Sequence, residues 1–297
     1  MTHSMENAPG KNQMGHPTFT VERSVGRLMV VGMNMFLLLF AITAIFPLVW
    51  MIYNSLKTGD EFARSILALP QQASLQNYQD IFDSVQVYSA MFNSLFNSLI
   101  ATTGIILLSF VIGYFLARYS FPGRNLLYAF FLFGLLVPIY GLMVPVFIQF
   151  KNIGMLNNRF TLLLPYIAFG LSQAIFLTEG YIRSIPSEIE EAAFVDGATL
   201  PQLLMQVVFP ICRPIIATAA LLAFLATWNE FAFALVLLRD DALKTIPLWL
   251  NTFQGERTVN YTGLMAALTV ASIPVIVIYF IFREKIIQGF IAGALKG

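Results

Sequence analysis

Cysteine, histidine and charge are what this sequence has least of, and each scarcity removes a class of function. Cys212 is the only cysteine in 297 residues, which excludes an internal disulfide and any metal cluster built on thiolates, and leaves a small buried hydrophobe as its ordinary role. The two histidines, His3 and His16, stand near the start of the chain, away from any group of acids. No metal site is expected from them. Asp, Glu, Lys and Arg make up 11% of the chain, against about 25% in soluble domains. The net charge of +1 offers no large basic surface, so nucleic acid is excluded as a partner. No Gly-x-x-x-x-Gly-Lys-Ser/Thr phosphate loop occurs, so the chain is expected to bind no nucleotide in the usual way. The first 27 residues carry Pro9, Gly10 and Pro17 without an apolar core or small-residue cleavage site. They read as a mobile tail rather than a signal peptide.

What fills the remaining space is apolar: 58% hydrophobic residues and a mean hydropathy of +0.74. A helix needs about 20 apolar residues to cross a bilayer core. Six such runs are found, at approximately 28–53, 95–117, 125–150, 160–178, 214–238 and 262–282, and only the fifth holds a charge, Glu230. The runs are too long for core strands, and the alternating pattern of a membrane barrel is missing. Helices then satisfy the backbone in lipid, which makes this an all-α membrane protein. The domain reading is a tail over 1–27, six transmembrane helices over 28–283 with a loop at 184–212, and a second tail over 284–297. Six crossings put both termini on one side. Of the 17 Lys and Arg residues, ten fall on that side, which favours cytoplasmic termini.

One segment interrupts the apolar pattern. Residues 188–214 read EIEEAAFVDGATLPQLLMQVVFPICRP. Ser187 followed by Glu190 fits a capping box, with Pro186 just ahead. Glu188, Glu190 and Glu191 crowd a first helical turn, where the positive end of the helix dipole favours acids. Gly197 can supply the positive φ that ends this helix. Thr199 and Gln202 form a second capping box around Pro201, and the run closes at Pro210. The spacing predicts helix, glycine bend, helix. A docking element for another protein and a solvated hairpin that only joins two spans both satisfy that pattern.

Glu191-Ala192-Ala193, then Gly197, Val207 and Phe209-Pro210, resembles the EAA loop of ABC importer permeases, in which Ile and Leu usually stand where Val207 and Phe209 are. Further stretches, IPSEIEEAA, YFLARYSFPGR (114–124), TWNEFAFALVLL (227–238), TIPLWL (245–250) and GFIAGALKG (289–297), are similar to the maltose-type carbohydrate permeases. The resemblance implies the type I ABC importer permease fold and a loop that acts as a coupling helix in a cleft of a cytoplasmic ATPase. Glu191, Ala192, Ala193, Asp196 and Gly197 would be the contacts, with Pro210 closing the motif. It also implies a second permease subunit, two ATP-binding subunits holding ATP and Mg, an extracytoplasmic solute-binding protein, a sugar as cargo, and the bacterial inner membrane as location. The chain itself would be no enzyme and bind no cofactor. Another polar solute, such as a glycerol phosphodiester, is the alternative cargo. An ion-coupled secondary transporter is the alternative class, and it requires broken helices with ionisable groups near the midplane. A membrane scaffold without cargo is a third reading.

Four residues are candidates for a translocation path. Glu230 stands 16 residues after Pro214, roughly 24 Å along a helix, and an ionisable group in a span is a functional hypothesis by default. Asn229 lies beside it. Asn97, with Asn93 and Ser98, sits near one end of the second span, and Tyr140 lies in the third. Glu230 is as readily a structural hydrogen bond or pairing between helices, and polar groups such as Asn97 and Tyr140 more often hold helices together than line a path. Glu179 and Arg183 are placed for a modest i,i+4 ion pair. The 28 Phe and 12 Met read as lipid-facing and interhelical filling. The tail reads as a frayed end, while the resemblance makes Lys296 and Gly297 candidate contacts to the ATPase.

Overall fold

The computed structural model describes residues 18–254 and 259–294, and the chain divides into two units, residues 1–50 and 51–297. The described part of the first unit is one helix. This helix, α1 (Thr18–Ser55), already starts inside the stretch expected as tail. Every side chain from residue 29 to 49 is exposed, so its apolar surface must meet lipid or another protein.

The second unit carries the remaining helices: α2 (Gly59–Arg64), α3 (Gln76–Asp83), α4 (Val85–Arg118), α5 (Arg124–Gly134), α6 (Met143–Asn152), α7 (Leu163–Arg183), α8 (Glu188–Val195), α9 (Leu200–Gln202), α10 (Phe209–Ile211), α11 (Arg213–Trp228), α12 (Ala232–Leu237), α13 (Ile246–Leu250) and α14 (Tyr261–Ala294). A π-helical turn, Leu203–Val208, joins α9 to α10. Among the described residues the extended structure is a single antiparallel bridge between Gln254 and Val259.

Three stretches are long and apolar enough to cross a membrane unbroken: Met29–Ser55 in α1, all of α4, and Tyr261–Arg283 in α14. Helix α7 has 21 residues, about 31 Å at 1.5 Å per residue. The other crossings are bent. Helix α5 and the helical stretch Ile139–Asn152 meet at 95°, where the sequence reads one continuous span. Pro138 causes the break, because it lacks an N–H and disfavours helical geometry in the residue before it. Gly134 lets the bend sit close to α7, where an added Cβ would collide with Ser172 Oγ. The fifth run is interrupted as well: α11 ends at Trp228 and α12 begins at Ala232. At the far end, the backbone of α14 stays helical to Ala294, past the boundary expected for a frayed tail.

Helix α4 is the axis of this unit, packed against α7 and α11. Its contact face is rich in small residues, which let helix backbones approach in lipid. Gly113 is one of them: a Cβ there would stand 2.7 Å from Thr178 Oγ1, and that hydroxyl donates to Ser109 O at 3.0 Å. Toward the 184–212 loop, Ile105, Phe110 and Tyr114 of α4 join Ile182, Leu203, Val208 and Cys212 in one core. Toward the opposite end, Val87 and Ala90 pack with Trp228, Ile246, Trp249 and Ala267.

Candidate functional site

The interrupting loop folds as helix, bend, helix. Helix α8 ends where Ala198 N donates to Ala193 O and Gly197 N to Phe194 O, both at 3.0 Å, with Gly197 at φ +83°. This is the Schellman pattern, and it uses the left-handed conformation glycine adopts without penalty. Beyond the bend, Gln202 Oε1 accepts from Thr199 N at 2.8 Å, so the second capping box is present. Phe209 then meets Phe110 edge to face, with centroids 5.3 Å apart. Cys212 is fully buried, and burial pushes its thiol from the ordinary 9.0 up to about 12.

The first capping box does not form. Ser187 has helical dihedrals and makes no side-chain cap. Glu190, 6% exposed, turns inward and accepts from Tyr114 Oη at 2.9 Å and Arg118 Nε at 2.6 Å. A guanidinium at ion-pair distance competes better for a buried carboxylate than a backbone amide does. Arg118 also donates to Ile185 O at 2.8 Å. Most of the remaining loop residues singled out in the sequence face outward. Glu191, Ala192, Asp196 and Gly197 are exposed, while Ala193 and Pro210 are half-buried. Beside them Phe194 is exposed and Val195 is 87% exposed, an apolar surface edged by acids.

Glu179 is more than half of a modest surface pair. It is 3% exposed, pairs with Arg183, and has Arg124 of α5 at 3.5 Å. Arg124 in turn donates to Leu116 O of α4 at 2.7 Å. The buried acid therefore gathers α4, α5 and α7 at the loop end of the bundle.

Toward the middle of the bundle lies a cavity of about 180 Å³ whose lining includes Tyr166, Phe169, Gln173, Thr227, Glu230 and Phe233. Glu230 caps the broken fifth span: its Oε1 accepts from Phe233 N at 2.6 Å, and its Oε2 from Ala234 N at 3.2 Å and Tyr166 Oη at 2.9 Å. The structural hydrogen bond and the cavity lining are thus the same residue. Asn229 is exposed and donates to Leu225 O at 2.9 Å.

The structure does not bring the other path candidates to this cavity. Asn97 is 4% exposed and donates to Asn93 O at 2.9 Å. Asn93 reaches Ala242 O at 2.8 Å, and Ile246 N donates to Ser94 Oγ at 2.7 Å. Ser98 is fully buried. This polar row of α4 ties down the connection before α13, which is the helix-packing role. Tyr140 is 78% exposed in the break between α5 and α6, and its neighbour Ile139 lines the cavity instead. Lys296 and Gly297 lie outside the described residues. Sequence reasoning missed Tyr166 and Gln173, which look like isolated polar residues in apolar helices, and it gave Glu190 a local role. Tyr114 and Arg118 sit in the stretch YFLARYSFPGR, so a signal for them was present.

A bundle of unbroken and bent apolar helices around a polar-edged cavity, with an outward-facing acidic bend at one end, defines a helical membrane permease. The chain belongs to the family described as binding-protein-dependent transport system inner membrane components, whose model matches residues 105–291. It is 34% identical over 257 residues to the sulfoquinovosyl glycerol transport system permease protein SmoH of Agrobacterium fabrum, covering 86% of this chain and 90% of that protein. It is 35% identical over 256 residues to the trehalose transport system permease protein SugB of Mycobacterium tuberculosis, covering 86% and 93%. Among solved structures it is similar to a chain of a bacterial ABC transporter that imports the acidic polysaccharide alginate, with a TM-score of 0.75, 24% identity, and coverage of 93% of this chain and 99% of that one. The fold is accordingly that of a type I ABC importer permease.

Proposed function

We propose that this chain forms one half of the membrane pathway of an ATP-driven importer for a sugar or oligosaccharide, with a second permease subunit, two ATPase subunits and an extracytoplasmic binding protein completing the assembly. The observation that carries this reading is the 188–197 element, which presents acids, small residues and exposed Phe194 and Val195 outward from a chain whose other charges are few. The sugar assignment draws on relatives named for sulfoquinovosyl glycerol and trehalose transport. These names favour carbohydrate over a glycerol phosphodiester. Family membership removes the ion-coupled alternative, although the broken spans that such a transporter requires do occur.

The termini and the 184–212 loop face the cytoplasm in this reading. Glu191, Ala192, Ala193, Asp196 and Gly197 seat α8 in a cleft of the ATPase, where ATP and Mg bind, and Pro210 closes the element. ATP draws the two ATPase subunits together, α8 is displaced, and the spans rock from inward-facing to outward-facing. Hydrolysis resets them. Cargo must bind the two states unequally for net transport. The cavity beside Glu230, with Asn229 near it, is the part of this subunit placed to meet a polar solute.

The test is reconstitution of the complex with its co-expressed partners, reading ATP turnover with and without binding protein and candidate sugars. Glu191→Lys reverses a charge at the contact and should lower uptake by about tenfold or more, through poor assembly or idle hydrolysis. Normal uptake by that variant defeats the assignment.

A further inference from the structure

The outward face of α8 says where an ATPase would push; it does not say how the push reaches the spans. Both covalent routes out of α8 are single turns of backbone. One is the short turn before Ser187, and the other is the bend at Gly197 (φ +83°), each closed by a few backbone hydrogen bonds. A side-chain anchor beyond these two turns fixes α8 to the bundle more firmly than the backbone alone.

The inward face of α8 also meets the π-helical turn Leu203–Val208. Ala193 packs on the core with a single methyl group, and Ile189 is exposed. Glu190 is the long side chain of α8 that enters the protein, and it ends in a knot at the last turns of α4. Arg118, the final residue of α4, gives Nε to Glu190 Oε1 at 2.6 Å and a second nitrogen to Ile185 O at 2.8 Å. Tyr114, one turn earlier, gives its hydroxyl to Glu190 Oε2 at 2.9 Å. Both carboxylate oxygens are therefore held, and one guanidinium clamps both α8 and the turn that leads into it. Helix α4 is also the element with the broadest packing against α7 and α11.

We propose that Glu190, held by Arg118 and Tyr114, is the positioning residue that makes α8 and the end of α4 move as one body, so that displacement of the loop is delivered to α4 rather than lost at the Gly197 bend. The proposal rests on the importer reading above. It assigns a use to YFLARYSFPGR, which the contact surface of α8 leaves unexplained: this stretch holds the receiving end of the link.

The experiment uses the complete complex in proteoliposomes. A wild-type complex without ATP-driven uptake overturns the importer reading, whereas the link is judged separately by the label separation below, which needs no transport. In a working complex, Glu190→Gln should lower the number of sugar molecules moved per ATP by about fivefold or more, Arg118→Ala should lower it at least as much, and the double variant should be no worse than Arg118→Ala alone. A ratio equal to wild type in the single variant overturns the proposal. So do losses that multiply in the double variant. A second measurement keeps residue 190 intact and so does not depend on the variant folding: spin labels on Glu188→Cys and Ser120→Cys, both exposed positions, read by EPR with and without trapped nucleotide. A rigid link keeps their separation the same in both states. A separation that changes with nucleotide overturns it.

Discussion

Single residues in this protein are read best through what surrounds them. Gly197 follows from local chemistry alone: a helix ending in Asp-Gly with a second helix start, Thr199-Leu200-Pro201, just beyond it calls for a left-handed residue, and the observed φ is +83°. Glu190 does not follow, because its partners lie 72 and 76 positions away in the chain, and spacing can only report neighbours within a helix turn. Cys212 is a residue whose environment sets its chemistry. Fully buried, with its thiol raised from 9.0 to about 12, it stays protonated in the folded protein across the neutral range. The thiolate is the reactive form. A maleimide should therefore leave the native protein unlabelled at pH 7 to 9 and label it after denaturation, as read by mass spectrometry. The linkage has a sign: below pH 9 folded and unfolded chains are both protonated at this group, so it is indifferent. Between 9 and about 12 the unfolded chain ionises first and stability falls. Rapid labelling of the native state at pH 7 contradicts this account of the site.

At the scale of helices, hydropathy finds the spans and misses their interruptions. Residues 125–150 and 214–238 each read as one apolar run, yet the first bends by 95° and the second breaks between Trp228 and Ala232. Pro138 and Gly134 were visible as breakers, but a count of apolar residues gives them no weight. Glu230 was visible as an anomaly, and its role depends on Tyr166, which belongs to another helix. The break gives α12 a free N-terminus inside the bundle, where unpaired N–H groups are costly. Glu230 supplies acceptors to Phe233 N and Ala234 N at the end where the helix dipole favours a carboxylate. Glu230→Ala removes those acceptors and strands the Tyr166 hydroxyl, so a loss of about 2 to 3 kcal/mol is expected. Glu230→Gln keeps one acceptor oxygen and should cost about 1 kcal/mol. Thermal unfolding of the purified complex distinguishes them. If alanine is tolerated as well as glutamine, the carboxylate is not what holds α12, and the cavity lining becomes its main role.

At the scale of the whole molecule the question is which way the bundle points, and the geometry converts it into a labelling experiment. The loop at 184–212 and the turn after α4, near Ser120, share one end, because Arg118 at the close of α4 binds both Glu190 and Ile185 O. The connection carrying Leu69 is at the other end, where Tyr53 donates to Leu67 O at 3.0 Å and Asn77 binds the carbonyls of Ser55 and Lys57. Charge bias alone separates the two ends weakly, ten basic residues against seven, so orientation was the least legible property of the sequence. Leu69 and Ser120 are both exposed, and the buried native Cys212 adds no background signal at neutral pH. With a membrane-impermeant maleimide on spheroplasts, Leu69→Cys should label at once, whereas Ser120→Cys should label only after permeabilisation. That outcome places the acidic bend on the side where ATP is made available. The reverse pattern puts α8 out of reach of any cytoplasmic ATPase, and the mechanism of force entry through Glu191 and onward through Glu190 to α4 then has no motor to drive it.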